Sequence, residues 1–95
     1  MKFEWDERKN RLNIKKHNIS FEEAETVFQD ANAVYIYDEQ HSTDEDRFKV
    51  IGMTDTINHE ITVCHCYRGD DDEVIRIISA RKALKEEIEL YREGL

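Results

Sequence analysis

The chain has 95 residues and carries 14 Lys and Arg against 22 Asp and Glu, a formal net charge of −8 at pH 7. That length allows one domain with a compact core, and apolar residues at 39% gathered into patterned segments exclude a wholly disordered chain. No apolar run approaches the roughly 18 residues that span a bilayer, and the first residues lack the apolar stretch of a secretory signal, so one cytoplasmic domain over residues 1–95 is expected, with no membrane contact. The charge is uneven. Residues 1–20 hold six bases against three acids (+3), residues 21–60 hold two against eleven (−9), and residues 61–95 hold six against eight (−2). Net acidity disfavours a general nucleic-acid binder, because phosphate affinity comes from Lys and Arg displacing counterions. The two outer segments could still set a local positive field for a polyanion, while the middle could attract a basic partner.

Asp6 is placed to N-cap a helix over about residues 7–17, with Trp5 as an apolar anchor before it and Asn18 suited to a left-handed exit. Lys9, Asn13, Lys16 and His17 share one stripe of that polar helix. Ser20-Phe21-Glu22-Glu23 is a capping box for a second helix, whose Phe21, Ala24, Val27 and Phe28 form a core face up to Gln29 or Asp30. The period then changes. Residues 33–37, 47–53, 61–67 and 74–78 are rich in β-branched and aromatic side chains and read as four strands, and their short connections favour an antiparallel meander. Ala80, Ala83, Leu84, Ile88, Tyr91 and Leu95 then follow helical spacing, with Lys82/Glu86 and Lys85/Glu89 as i,i+4 pairs and Gly94 as a stop. The fold class is therefore α+β: two N-terminal helices, a four-stranded antiparallel sheet and a C-terminal helix, with the helices on one sheet face and the other face open.

Three arginines, Arg68, Arg76 and Arg81, fall in or beside the last two strands. Arg76 interrupts an apolar run, so its strand face is either partly wet or pairs the guanidinium with an acid. Three neighbouring guanidiniums suit an anion site, since Arg contacts phosphate through two donors at once. Ser79 suits an N-cap at a strand-to-helix junction better than a nucleophile. Among the histidines, His41 and His59 fall in loops and read as solvated, and His65 reads as a satisfied, half-buried strand residue. His17 is the candidate for proton transfer, and its position equally suits a cation at a helix C-terminus. Cys64-His65-Cys66 does not read as a metal site, because strand alternation sends His65 to the face opposite the thiols and no second ligand pair exists. The two thiols read as reduced, small apolar groups. The acidic stretch 38–46 reads as a solvated loop, and no Gly-rich phosphate loop or zinc-protease motif occurs, so neither metal nor cofactor is expected.

Several motifs together resemble the BrnT toxin family, the toxin half of a bacterial type II toxin–antitoxin pair. They are Phe3-Glu4-Trp5-Asp6, the Lys9, Asn13, Lys16, His17 stripe, Ser20 to Ala24 with Val27-Phe28, Arg47-Phe48 with Ile51-Gly52, and Arg76 to Ala83. The resemblance implies a RelE-like fold and a metal-independent ribonuclease that arrests translation. It also implies a cognate BrnA-like ribbon-helix-helix antitoxin, assembled with the toxin as a hetero-oligomer and responsible for any contact with promoter DNA. With RNA as substrate, Arg68 and Arg76 become catalytic groups that bind phosphate and stabilise charge, and His17 or Lys16 moves the proton. Arg81, Lys9, Tyr67 and Ser79 become RNA contacts, the three arginines converging on one cradle. One departure stands out: Cys66-Tyr67 occupies the place where members commonly carry Thr-Glu, so a carboxylate is missing and Tyr67 offers a phenolic proton or a stacking surface instead. The competing expectation, from the acidity and that missing carboxylate, is a non-catalytic subunit that acts only by assembling with a DNA-binding partner.

Overall fold

Asp6 opens the first helix, α1 (Glu7–His17), by accepting from the Arg8 and Lys9 backbone N–H groups, and Asn18 closes it in the left-handed conformation at φ 58°. The capping box forms as expected: Ser20 and Glu23 satisfy each other's free backbone N–H at the start of α2 (Phe21–Glu25). The chain then tightens into a 3₁₀ turn over Thr26–Gln29. This computed structural model describes residues 1–94; Leu95, which the sequence pattern includes in the last helix, lies outside the described residues.

Ahead of α1, Lys2–Glu4 forms a strand, β1. The others are β2 (Val34–Tyr37), β3 (Phe48–Gly52), β4 (Ile61–Arg68) and β5 (Val74–Lys82), joined in one sheet of order β1-β5-β4-β3-β2. β2 to β5 make the expected antiparallel meander, but β1 adds to β5 in parallel, so the sheet is five-stranded and mixed. Three residues are too few to display an alternation in sequence. What holds β1 is tertiary: the Phe3 ring lies 5.3 Å from that of Phe28, and Glu4 pairs with Arg76 opposite it.

The C-terminal helix α3 (Lys85–Glu93) starts five residues later than the spacing from Ala80 predicts. Strand β5 runs on to Lys82 because both of its sides are occupied there. β4 continues the ladder through Val63↔Ala80, Thr62↔Arg81 and Ile61↔Lys82. On the other side the Asn13 amide donates to the Ala80 carbonyl at 2.9 Å and accepts from the Ala80 N–H at 3.1 Å, so α1 closes an edge that β1 is too short to cover. Ser79 therefore sits within a strand and caps no helix, and Lys82 and Glu86 are not a helical pair.

α1 and α2 cover one face of the sheet, where Phe21, Ala24 and Val27 pack on Ile61, Val63, Ile75, Ile77 and Ala80. Phe21 is wholly buried, worth roughly 2–3 kcal/mol relative to exposure. α3 lies elsewhere, which corrects the expectation that every helix shares that face. Its Glu87 accepts from the hydroxyl of Thr62, a residue that alternation points away from Ile61 and Val63. Tyr91 reaches back round the end of the sheet to donate to Asp30 at 2.6 Å.

Candidate nucleic-acid interface

The face turned away from α1 and α2 carries Thr62, Cys64, Cys66 and Arg68 from β4, and Arg76, Ser79 and Arg81 from β5. A β-bulge opposite Cys64 and His65 shifts the register by one, so Ile78 is the extra residue and Ser79 returns to this face opposite Cys64. Arg68, Arg76 and Arg81 do share the face, but they are strung along it. Arg68 and Thr62, the ladder partner of Arg81, are six residues apart on β4, about 20 Å at the strand rise. Each guanidinium also has its own carboxylate: Arg68 meets Glu45 at 3.1 Å, Arg76 meets Glu4 at 2.9 Å, and Arg81 meets Glu87 through two bonds of 2.7 and 3.0 Å. The single cradle expected from sequence does not form, because neighbours in a ladder separate as fast as the strand rises.

Arg81 is the most firmly held of the three. Burial alone would raise the Glu87 carboxyl, but the Arg81 bonds, the Leu84 N–H and the Thr62 hydroxyl outweigh it and hold the group at about 2. The same pairing pushes Arg81 up. Beside it opens a cavity of about 180 Å³, lined by Arg81, Ser79, Thr62 and Cys64 and closed on its far side by Lys49, Arg47, Asp38 and His41. Lys49 arrives there because it is the ladder partner of Cys64, the only charged position of β3. Burial pushes the Cys64 thiol up, which leaves it a neutral wall and no nucleophile.

On the other side of the bulge, Lys9, Lys16 and His17 of α1 line a shallow groove with Ile78 and Ser79. Ile78 and Ser79 thus border both hollows, and five of the eight site residues expected from sequence lie along one path: Lys9, Lys16, His17, Ser79 and Arg81. Asn13, from the same helical stripe, is buried and spends its amide on the Ile19 and Ala80 backbone.

Tyr67 is not on that path. It points to the helix-covered face, in an aromatic group whose rings lie 5.4 Å from Phe48 and 5.4 Å from His65, and burial pushes its hydroxyl up. His65, expected to be half-buried and satisfied, is fully buried. Its ring meets Phe28 edge-on at 4.9 Å, Nδ1 donates to the Val63 carbonyl at 3.2 Å, and Nε2 has no hydrogen-bond partner among the described residues. Burial pushes the imidazole down, so it stays neutral and serves packing. The two thiols and His65 do point to opposite faces, and among the described residues no three His, Cys, Asp or Glu side chains gather as a metal site.

The family model described as "Ribonuclease toxin, BrnT, of type II toxin-antitoxin system" matches residues 5–87. The chain belongs to the BrnT family. Among solved structures, the 1.1 Å crystal structure of the Brucella abortus ribonuclease toxin BrnT is 30% identical, with a TM-score of 0.66 over 90% of this chain and 99% of that one. No curated protein matches. In this BrnT-family chain, the residues that sequence reasoning missed are Asp38, His41, Arg47 and Lys49. Lys49 had a signal, a charge within an apolar strand, of the kind that singled out Arg76. Asp38 and His41 had only an i,i+3 spacing inside an acidic run, and what makes them part of the site is how the loop folds back.

Proposed function

We propose that this chain cleaves RNA without a metal ion, arrests translation by doing so, and is held inactive by a BrnA-like ribbon-helix-helix antitoxin that alone contacts promoter DNA. Family membership supports the toxin and ribonuclease parts of this reading, together with an RNA substrate and an antitoxin partner. The observation that carries the rest is the path of cations across the β5 bulge, from Lys9, Lys16 and His17 on α1 to Arg81, Lys49 and Arg47 around the cavity. Along that path a net-acidic protein would offer a phosphate chain basic side chains from both α1 and the cavity wall.

Metal-free cleavage needs the ribose 2′-oxygen placed in line with the adjacent phosphorus, a proton removed from it, and charge on the phosphorane stabilised. Arg81, prepositioned by Glu87, supplies two-point phosphate recognition, and Lys9 and Ser79 guide the strand towards it. Lys16 or His17 is placed for proton movement at the groove. Arg68 and Arg76 act as catalytic groups only if RNA displaces Glu45 and Glu4, both on exposed pairs that cost little to break. Docking of an antitoxin segment over the open face would block the same path.

Those ion pairs also favour a second reading, a non-catalytic subunit that only assembles with a DNA-binding partner. Purified chain incubated with messenger RNA in excess EDTA separates the two. Cleavage that persists with chelator and disappears on adding the antitoxin supports the proposal; intact RNA at every toxin concentration, with or without magnesium, leaves the assembly reading.

A further inference from the structure

From the geometry of the cavity on the open sheet face we infer that His41, oriented by Asp38, is the general base that deprotonates the attacking 2′-hydroxyl, with Arg47 and Lys49 holding the scissile phosphate. The inference rests on the ribonuclease reading and names the proton acceptor within it, in place of His17 or Lys16.

The loop bearing His41 is built, not loose. The Asp38 N–H donates to the Arg47 carbonyl at 2.8 Å, so the loop's ends are closed like a hairpin. Inside it the Ser42 hydroxyl donates to the Asp38 carbonyl at 2.6 Å and accepts from the Arg47 N–H at 2.9 Å. That clamp forces a 3₁₀ turn over Glu39–His41, which returns His41 to the side chain three residues before it. The Asp38 side chain is 5% exposed, and its Oδ2 lies 2.9 Å from His41 Nδ1. A carboxylate only accepts, so Nδ1 donates to Asp38 and Nε2 is the nitrogen left to exchange a proton with a substrate. A buried acid holding one tautomer of a solvent-facing imidazole is what a proton acceptor requires.

The surroundings suit a phosphodiester. Arg47, Lys49 and Arg81 face the same cavity as His41 and Asp38, and Arg47 Nε is buried with no hydrogen-bond partner among the described residues. About 180 Å³ is below the ~300 Å³ where pockets for whole small molecules begin, so the cavity admits one linkage of a chain that continues over the surface. In the reaction, His41 Nε2 takes the 2′-hydroxyl proton while the O2′–P bond forms and the P–O5′ bond breaks. Water at the open mouth protonates the leaving 5′-oxygen and later receives the proton from His41. The products are a 2′,3′-cyclic phosphate and a 5′-hydroxyl.

The test measures single-turnover cleavage of a defined RNA by the full chain across pH 5–9, for wild type, His41→Gln, His41→Ala and Asp38→Asn, with thermal melts to confirm folding. His41→Gln should lose at least about 100-fold in rate and the acidic limb of the pH profile, and added imidazole should restore part of the rate to His41→Ala but none to wild type. Asp38→Asn should lower the rate and reshape the limb, the signature of a positioning residue. If wild type cleaves and folded His41→Gln and His41→Ala cleave within about twofold with an unchanged profile, the inference is overturned and the ribonuclease reading stands. If wild type leaves the RNA intact, both fall.

Discussion

Replacing Glu87 by Gln removes one charge while keeping the side chain's shape. Its carboxyl lies at about 2 in the fold against 4.5 for a free glutamate, a gap equivalent to roughly 3 kcal/mol of stabilisation at neutral pH. The Arg81 side chain is 31% exposed, so water screens part of the pairing and about 2 kcal/mol is the working expectation. The sign follows from the depression: the contribution is fully present above 4.5 and drains as pH falls towards 2. Urea unfolding of wild type and Glu87→Gln at pH 7, 5 and 3 should give a difference of about 2 kcal/mol at the two higher values and roughly half of it at pH 3. Equal midpoints at pH 7 would show that Arg81 and Thr62 gain nothing from this carboxylate. A penalty independent of pH would place its origin in shape and not charge.

Two further outcomes test the packing that positions the site. Asn13→Ala should destabilise by roughly 1–3 kcal/mol, because it strips the buried Ala80 N–H and carbonyl of their partner, and amide exchange should accelerate at Ala80 well above the rest of β5. A midpoint unchanged in denaturant would mean water replaces the amide. Gly52→Ala should cost roughly 1–3 kcal/mol by overpacking, since an added Cβ would lie 2.9 Å from Asp30 Oδ2 and 3.0 Å from Val27 Cγ2, and Asp30 is pinned by the Met53 N–H and the Tyr91 hydroxyl. The melting temperature checks it; a neutral result would show that the Asp30 side chain swings aside at no cost.

Local physics made much of this protein legible from its residues. Asp6, Asn18 and the Ser20/Glu23 box mark helix ends because capping involves atoms only two or three residues apart, and the four strands of the meander show their period because each has a partner close in sequence. The family resemblance worked at the same level, as short motifs in order along the chain. Tertiary structure decided everything that depends on remote partners. β1 exists because β5, 72 residues away, leaves an edge free; β5 outlasts its apparent helix pattern because Asn13 and β4 satisfy its backbone; α3 crosses to the other face because Glu87 finds Thr62 and Arg81 there. The site followed the same division. Sequence found the cations of α1 and β5, since charges within apolar patterns are visible one residue at a time. It could not space Arg68, Arg76 and Arg81 along 20 Å of ladder, nor bring His41 against Asp38 at the cavity, because both outcomes follow from how a sheet rises and how one loop closes on itself.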